Sequence, residues 1–128
     1  SRVLEKSDIL VVLLPLSSAT EGLLDAENIA RMKSGASIIN FGRGLIINDE
    51  ALIKALDSRH LGHAVLDVFA VEPLPKGHQY WGHSSVTVLP HCSAPTNKKT
   101  SAIIAAKNIS DFVSNGVVPA SADRKLGY

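Results

Sequence analysis

The chain has 128 residues, 45% of them apolar and 20% Asp, Glu, Lys or Arg, which is enough for the core of one ordinary domain and unlike a disordered segment. Thirteen Lys and Arg against twelve Asp and Glu leave a formal net charge of +1, and aromatics are 5%, so neither bulk charge nor a base-stacking surface supports nucleic-acid binding. The longest apolar run, Ile9 to Leu14, is far too short to cross a bilayer, and the single cysteine, Cys92, excludes an internal disulfide framework and a Cys-rich zinc site.

The opening Ser1-Arg-Val-Leu-Glu-Lys-Ser-Asp reads as the last turn of a helix entering a strand, with no signal-peptide or transit-peptide character. Four short continuous apolar runs follow: Ile9–Leu14, Ala36–Phe41, Ala64–Phe69 and Val86–Leu89. Continuous rather than alternating runs predict parallel strands buried on both faces. Between the first two, Asp25 is a candidate cap for a helix that stops near Lys33-Ser34-Gly35. Between the second and third, Asn48 caps a helix that runs through Leu52 and Leu56 to Arg59 and His60, with Asp49 and Glu50 at its positive start and Gly62 as the stop. The stretch Glu72–His83, with its prolines and glycines, predicts an ordered loop rather than a crossover helix, with Trp81 as its anchor. A longer helix is expected from about Pro95–Thr96 to Asn115, with Ala102, Ala106, Ile109 and Val113 on one face and Gly116 at the stop. This order of elements predicts an α/β fold with a parallel sheet of about four strands.

Ligands of open parallel sheets bind beyond the carboxyl ends of the strands, which directs attention to the residues found there. Arg43, between Gly42 and Gly44, reads either as an exposed arginine in a tight turn or as a rigid fork for a carboxylate. His91 follows Pro90 at the last strand end and is suited to proton transfer near neutral pH, although a histidine there can also be plain surface. Glu72 alone reads as a solvated loop carboxylate, but near an imidazole it favours the protonated ring. Asp67 lies inside an apolar run, where a charge needs a partner or a polar ligand. His60, His63, His78 and His83 show no metal-ligand spacing and read as helix-end and loop residues, Cys92 reads as packing, and Lys98-Lys99 as a solvated helix face.

The strings Leu14-Pro-Leu-Ser, Thr20-Glu-Gly-Leu-Leu, Met32-Lys-Ser-Gly-Ala-Ser-Ile-Ile-Asn-Phe-Gly-Arg-Gly, Ala55-Leu-Asp-Ser, Leu66-Asp-Val-Phe-Ala-Val-Glu-Pro-Leu-Pro and Val88-Leu-Pro-His occur in this order. Together they resemble the C-terminal half of the D-isomer-specific 2-hydroxyacid dehydrogenases, over nearly the whole chain. The Trp81-Gly-His stretch and the ending Asp123-Arg-Lys-Leu-Gly-Tyr resemble most the glyoxylate/hydroxypyruvate reductase A group within it.

The resemblance implies a Rossmann-like NAD(P)-binding fold, with residues 1–116 as the C-terminal part of the cofactor domain and 117–128 as a tail returning toward a substrate domain. It implies that Arg43 binds the carboxylate of a 2-keto acid, that His91 donates the proton, and that Glu72 holds His91. Leu14, Pro15, Leu16, Phe41 and Gly42 are implied to line the cofactor, bordered also by Arg43 and His91, with Asp67 meeting the nicotinamide carboxamide. The implied cofactor is NAD(P)H, leaning to NADPH, for a cytoplasmic, homodimeric reductase of a small 2-keto acid to a 2-hydroxy acid. The chain contains no strand–GxGxxG–helix string, since Gly42-Arg-Gly-Leu-Ile-Ile lacks the third glycine. The expectation is therefore a back portion of a longer protein, with the first βαβ unit outside it and little activity alone. A non-catalytic, nucleotide-sensing interaction protein of corepressor type is the alternative, since such proteins resemble the same family.

Overall fold

The structure is a computed structural model, and it describes residues 2–121 and 123. The chain divides into two compact units, residues 1–93 and 94–128. In the first, α1 (Arg2–Lys6) leads into β1 (Ile9–Val12), followed by α2 (Ala26–Ala30), β2 (Ala36–Asn40), α3 (Asp49–Asp57), β3 (Leu61–Leu66) and β4 (Val86–Val88). The strands form one sheet in the order β1-β2-β3-β4, and every neighbouring pair is parallel. This is the four-stranded α/β sheet that the apolar runs predict.

Local chemistry starts the helices where the sequence indicates. Asp25 accepts the Asn28 N–H at 2.8 Å and Asn48 accepts the Ala51 N–H at 2.9 Å, each satisfying a donor that the first turn leaves free. Helix α3 then buries Leu52, Ile53, Ala55 and Leu56 together, and α2 contributes Ile29 to the same core. Ile38, Ala64 and Leu66 supply the sheet side of that core.

Several expectations change. The third strand begins at Leu61, not Ala64, and ends at Leu66, so Asp67 stands just beyond its end. Gly62 is not a helix stop: α3 ends at Asp57, the left-handed turn falls on Arg59 (φ 60°), and Gly62 is already in β3. A Cβ on Gly62 would sit 2.7 Å from the Gly35 carbonyl oxygen, so the glycine permits close approach of β3 to the turn that leads into β2. Burial on both faces is not general either. Among the described residues β1 pairs with β2 alone, and Ile9 is 60% and Val11 47% exposed.

The Glu72–His83 stretch is the ordered loop expected, with one 3-10 turn over Gln79–Gly82. Its buried anchor is Tyr80 rather than Trp81. Tyr80 is 1% exposed and donates its hydroxyl proton to Asp49 at 2.8 Å, whereas Trp81 is 55% exposed and donates to the Pro75 carbonyl. Burial, then the neighbouring Asp49 carboxylate and the hydrogen bond to it, push the Tyr80 hydroxyl far above the usual phenol range.

In the second unit, α4 (Lys98–Asn115) is capped by Asn97, which accepts the Lys99 and Thr100 N–H groups, and it closes on Gly116 at φ 66°. None of its residues is buried, and Ile109 and Val113, on the face read as apolar, are exposed. The residues of the tail beyond Asp123 lie outside the described residues.

One row of the sheet register aligns the strand ends. Val12, Asn40, Leu66 and Val88 are consecutive partners across all four strands. Every candidate strand-end residue lies downstream of this row. The loops leaving β2 and β3 then touch directly at Gly44, where a Cβ would fall 1.9 Å from the Phe69 carbonyl carbon and 2.3 Å from the Ala70 nitrogen. Both atoms are backbone and cannot swing aside. Gly44→Ala is therefore expected to cost at least about 2 kcal/mol of stability, from forcing these loops apart. Chemical denaturation of the two chains checks this, and an unchanged midpoint contradicts it.

Candidate active site

Two buried polar side chains build the site. Asn40, the last residue of β2, is 1% exposed; it accepts the Gly42 N–H at 3.0 Å and donates its amide to the Arg43 carbonyl at 3.1 Å. That pair of bonds shapes the turn on which Arg43 sits. Asp67, just past β3, is 2% exposed; it accepts the Cys92 N–H at 2.8 Å and the Ser93 N–H at 3.0 Å. Its own N–H donates to the Asn40 carbonyl, joining the two strand ends.

The loop after β3 brings Glu72 back to the sheet. One of its oxygens accepts the Phe69 N–H at 3.0 Å, and the other lies 2.7 Å from His91 Nδ1. A carboxylate can only accept, so Nδ1 is the donor. His91 Nε2 has no hydrogen-bond partner among the described residues, which leaves it available for a further partner. Arg43 donates Nη1–H to the Gly42 carbonyl at 2.7 Å. An open cleft of about 340 Å³ is lined by Arg43, Glu72 and His91 together with Leu16, Leu45 and Phe69. A larger, mainly apolar cavity of about 530 Å³ shares Glu72 and His91 as a wall but lacks the guanidinium. The smaller cleft is the one that places a cation beside an acid–base pair.

The electrostatics agree with the geometry. The His91 hydrogen bond, then the Phe69 N–H, hold the Glu72 carboxyl below its usual range against the effect of burial, and the Arg43 charge acts in the same direction. For Asp67, burial pushes the carboxyl up, but the hydrogen bonds from Ser93 and Cys92 outweigh it and leave the group below its usual range.

The remaining strand-end residues lie beyond the register row, in the loops that leave β1 and β2. Thr20 donates its hydroxyl to the Pro15 carbonyl at 2.7 Å and accepts the Ser17 N–H at 2.8 Å, which shapes the Leu14–Ser17 loop. Leu14 and Phe41 present exposed apolar surface at neighbouring strand ends, and Gly42 is buried between them and Asn40.

The first unit matches the family model described as the NAD binding domain of the D-isomer specific 2-hydroxyacid dehydrogenases, over residues 1–93. The chain belongs to this dehydrogenase family. A glyoxylate/hydroxypyruvate reductase A from Serratia proteamaculans is 35% identical over 125 residues, 98% of this chain and 40% of that protein. D-3-phosphoglycerate dehydrogenase from Bacillus subtilis is 45% identical over 96 residues, 75% of this chain and 18% of that protein. A D-isomer specific 2-hydroxyacid dehydrogenase from Xanthobacter autotrophicus Py2, solved with NADPH and MES, superposes with a TM-score of 0.92 at 41% identity, covering 98% of this chain and 52% of that one. The chain thus spans about half, or less, of the dehydrogenases it matches.

Membership raises the question of whether these residues fit a nicotinamide dinucleotide. Leu14 and Phe41 present exposed apolar surface just beyond the carboxyl ends of the parallel strands β1 and β2, chemistry that suits an apolar nicotinamide ring. For the pyrophosphate, the sequence supplies no GxGxxG cradle.

Asn40 is not among the residues that the sequence reading singles out, although a polar residue closing an apolar run is the same signal that marks Asp67. Cys92 is exposed rather than packed, and its backbone N–H is the part that matters. His63 lies in β3 and contacts Thr87, not in a loop.

Both lowered carboxyls make stability depend on pH in one direction. Their contribution is complete above the unfolded values, about 3.9 for Asp and 4.3 for Glu, and is lost as pH falls through the lower folded values. Circular dichroism at stepped pH is expected to show wild-type stability declining in that acid window. Asp67→Asn and Glu72→Gln chains are expected to be less stable at neutral pH and flatter there; parallel profiles contradict the assignment.

Proposed function

We propose that this chain carries the substrate-binding and acid–base residues of a reductase that converts a small 2-keto acid, of glyoxylate or hydroxypyruvate type, to the 2-hydroxy acid. The observation that supports it most is the convergence of Arg43, Glu72 and His91 on one cleft, with Glu72 bonded to the δ nitrogen of His91. Arg43 meets the substrate carboxylate with its planar fork and polarises the adjacent carbonyl. His91 delivers a proton from Nε2 to the carbonyl oxygen as it gains negative charge, and takes one back in the reverse direction. Glu72 fixes the ring orientation through its bond to Nδ1. A bound reduced nicotinamide supplies the hydride, and NADPH is the proposed form, in keeping with the NADPH found with the Xanthobacter relative.

Leu14, Pro15, Leu16, Phe41 and Gly42 are the residues proposed to border that ring. A carboxylate oxygen has two acceptor positions, so an Asp67 contact to the carboxamide is compatible with its bonds to Cys92 and Ser93. Residues 1–116 then act as the back part of the cofactor domain, and 117–128 as a return toward a substrate domain. The complete enzyme is proposed to be a cytoplasmic homodimer with no nucleic-acid partner. Among the described residues no helix is long and apolar enough to cross a membrane.

The 128-residue chain alone is expected to oxidise NADPH in the presence of glyoxylate at no more than background rate, and steady turnover contradicts this. Joined behind a GxGxxG-bearing N-terminal half, the same chain is expected to turn over. There His91→Ala should lower kcat roughly 10²–10⁴-fold while NADPH binding persists, the range for loss of a general acid. Unchanged turnover in that variant overturns the proposal.

A further inference from the structure

His91 carries a positive φ of 53°, in a region disfavoured for a residue with a Cβ. Such a conformation persists only where its surroundings over-determine it. On its N-terminal side, the Leu89 N–H donates to the Leu66 carbonyl at 2.9 Å, continuing the β3–β4 ladder. On its C-terminal side the next two N–H groups, of Cys92 and Ser93, go to the two oxygens of a single carboxylate, Asp67, at 2.8 and 3.0 Å. His91 is therefore the pivot between a sheet anchor and a carboxylate anchor, and both begin within two residues on β3 and its end.

We infer that Asp67 is a positioning residue for the acid–base pair: through the Cys92 and Ser93 amides it holds the His91 turn so that Nδ1 stays against Glu72 at the wall of the Arg43 cleft. This deepens the reductase reading and rests on it for the meaning of the pair. The chemistry suits the task. Two N–H groups that reach separate oxygens suit an ionised carboxylate, and burial keeps water from competing for them. An asparagine of nearly the same shape offers one acceptor and turns an NH₂ group toward the second N–H.

The test separates positioning from simple charge, because the two predict opposite signs. The groups that act on the Glu72 carboxyl are His91, the Phe69 N–H and Arg43, and His91 also acts on the Asp67 carboxyl. If Asp67 were only a nearby negative charge, Asp67→Asn would make Glu72 a stronger acid. If it positions His91, the substitution loosens the Nδ1 bond and makes Glu72 a weaker acid. Carboxyl ¹³C NMR titration of Glu72 in the full 128-residue chain reads this directly. Asp67→Asn is expected to reduce the Glu72 acid constant roughly tenfold, and the change should vanish in a His91→Gln background. An unchanged or increased acid constant overturns the inference. If Asp67→Asn does not fold, wild-type amide exchange decides: Cys92 and Ser93 are expected to exchange about 100-fold or more slowly than an unprotected loop, and unprotected rates overturn the inference. Neither substrate nor cofactor enters these measurements. A failure of the reductase reading would appear as absent turnover and leave the titration unchanged.

Discussion

A buried polar side chain at the end of a β-strand must find hydrogen-bond partners, and at two adjacent strand ends of this sheet it finds them in loop backbone. Asn40 closes β2 and Asp67 follows β3, each almost without exposure. Leaving either unsatisfied would cost on the order of 1–3 kcal/mol, more for the charged group, so the loops that satisfy them are not free to move. Asn40 thereby shapes the Gly42–Arg43 turn, and Asp67 gathers the two amides after His91. The Asp67 N–H to Asn40 carbonyl bond ties the two arrangements together. Arg43 and His91 arrive on one cleft because the residues just upstream of them, in space, are buried and polar.

The sheet supplies the frame in which this works. A parallel sheet ends all its strands on the same side, and the register row of Val12, Asn40, Leu66 and Val88 aligns those ends. Gly44 lets the loops after β2 and β3 meet backbone to backbone, which carries Glu72 within reach of the last strand end. Tyr80, buried and bonded to Asp49, pins the far end of the long loop to the start of α3. Core packing holds the strands, polar satisfaction holds the loops, and the acid–base pair is the result of both.

Much of this is legible in the sequence. Apolar runs locate all four strands, capping residues locate the starts of α2 and α3, and Gly116 locates the end of α4. The strand ends point to Arg43, Glu72, Asp67 and His91. The identity of the partners is not legible. Asn40 sits in an Ile-Ile-Asn-Phe run, where its burial depends on strand neighbours distant in sequence. Gly62 looks like a helix stop because glycine often is one, and only the approach of Gly35 shows why the position needs to be small. Asp67 stands out as a charge seeking a ligand, whereas the structure gives its oxygens two backbone amides 25 and 26 residues away. Long-range backbone contacts leave no periodicity, so sequence patterns reveal the groups and not the bonds between them.

The side chain-to-amide bonds at the strand ends hold the site together, and trans-hydrogen-bond scalar couplings measure them most directly. In the isotope-labelled chain, correlations are expected from the Cys92 and Ser93 amide nitrogens to the Asp67 carboxyl carbon, and from the Gly42 amide nitrogen to the Asn40 side-chain carbonyl carbon. Their absence, with these three amides exchanging as freely as open loop, would contradict the claim that buried polar side chains at the strand ends build the site.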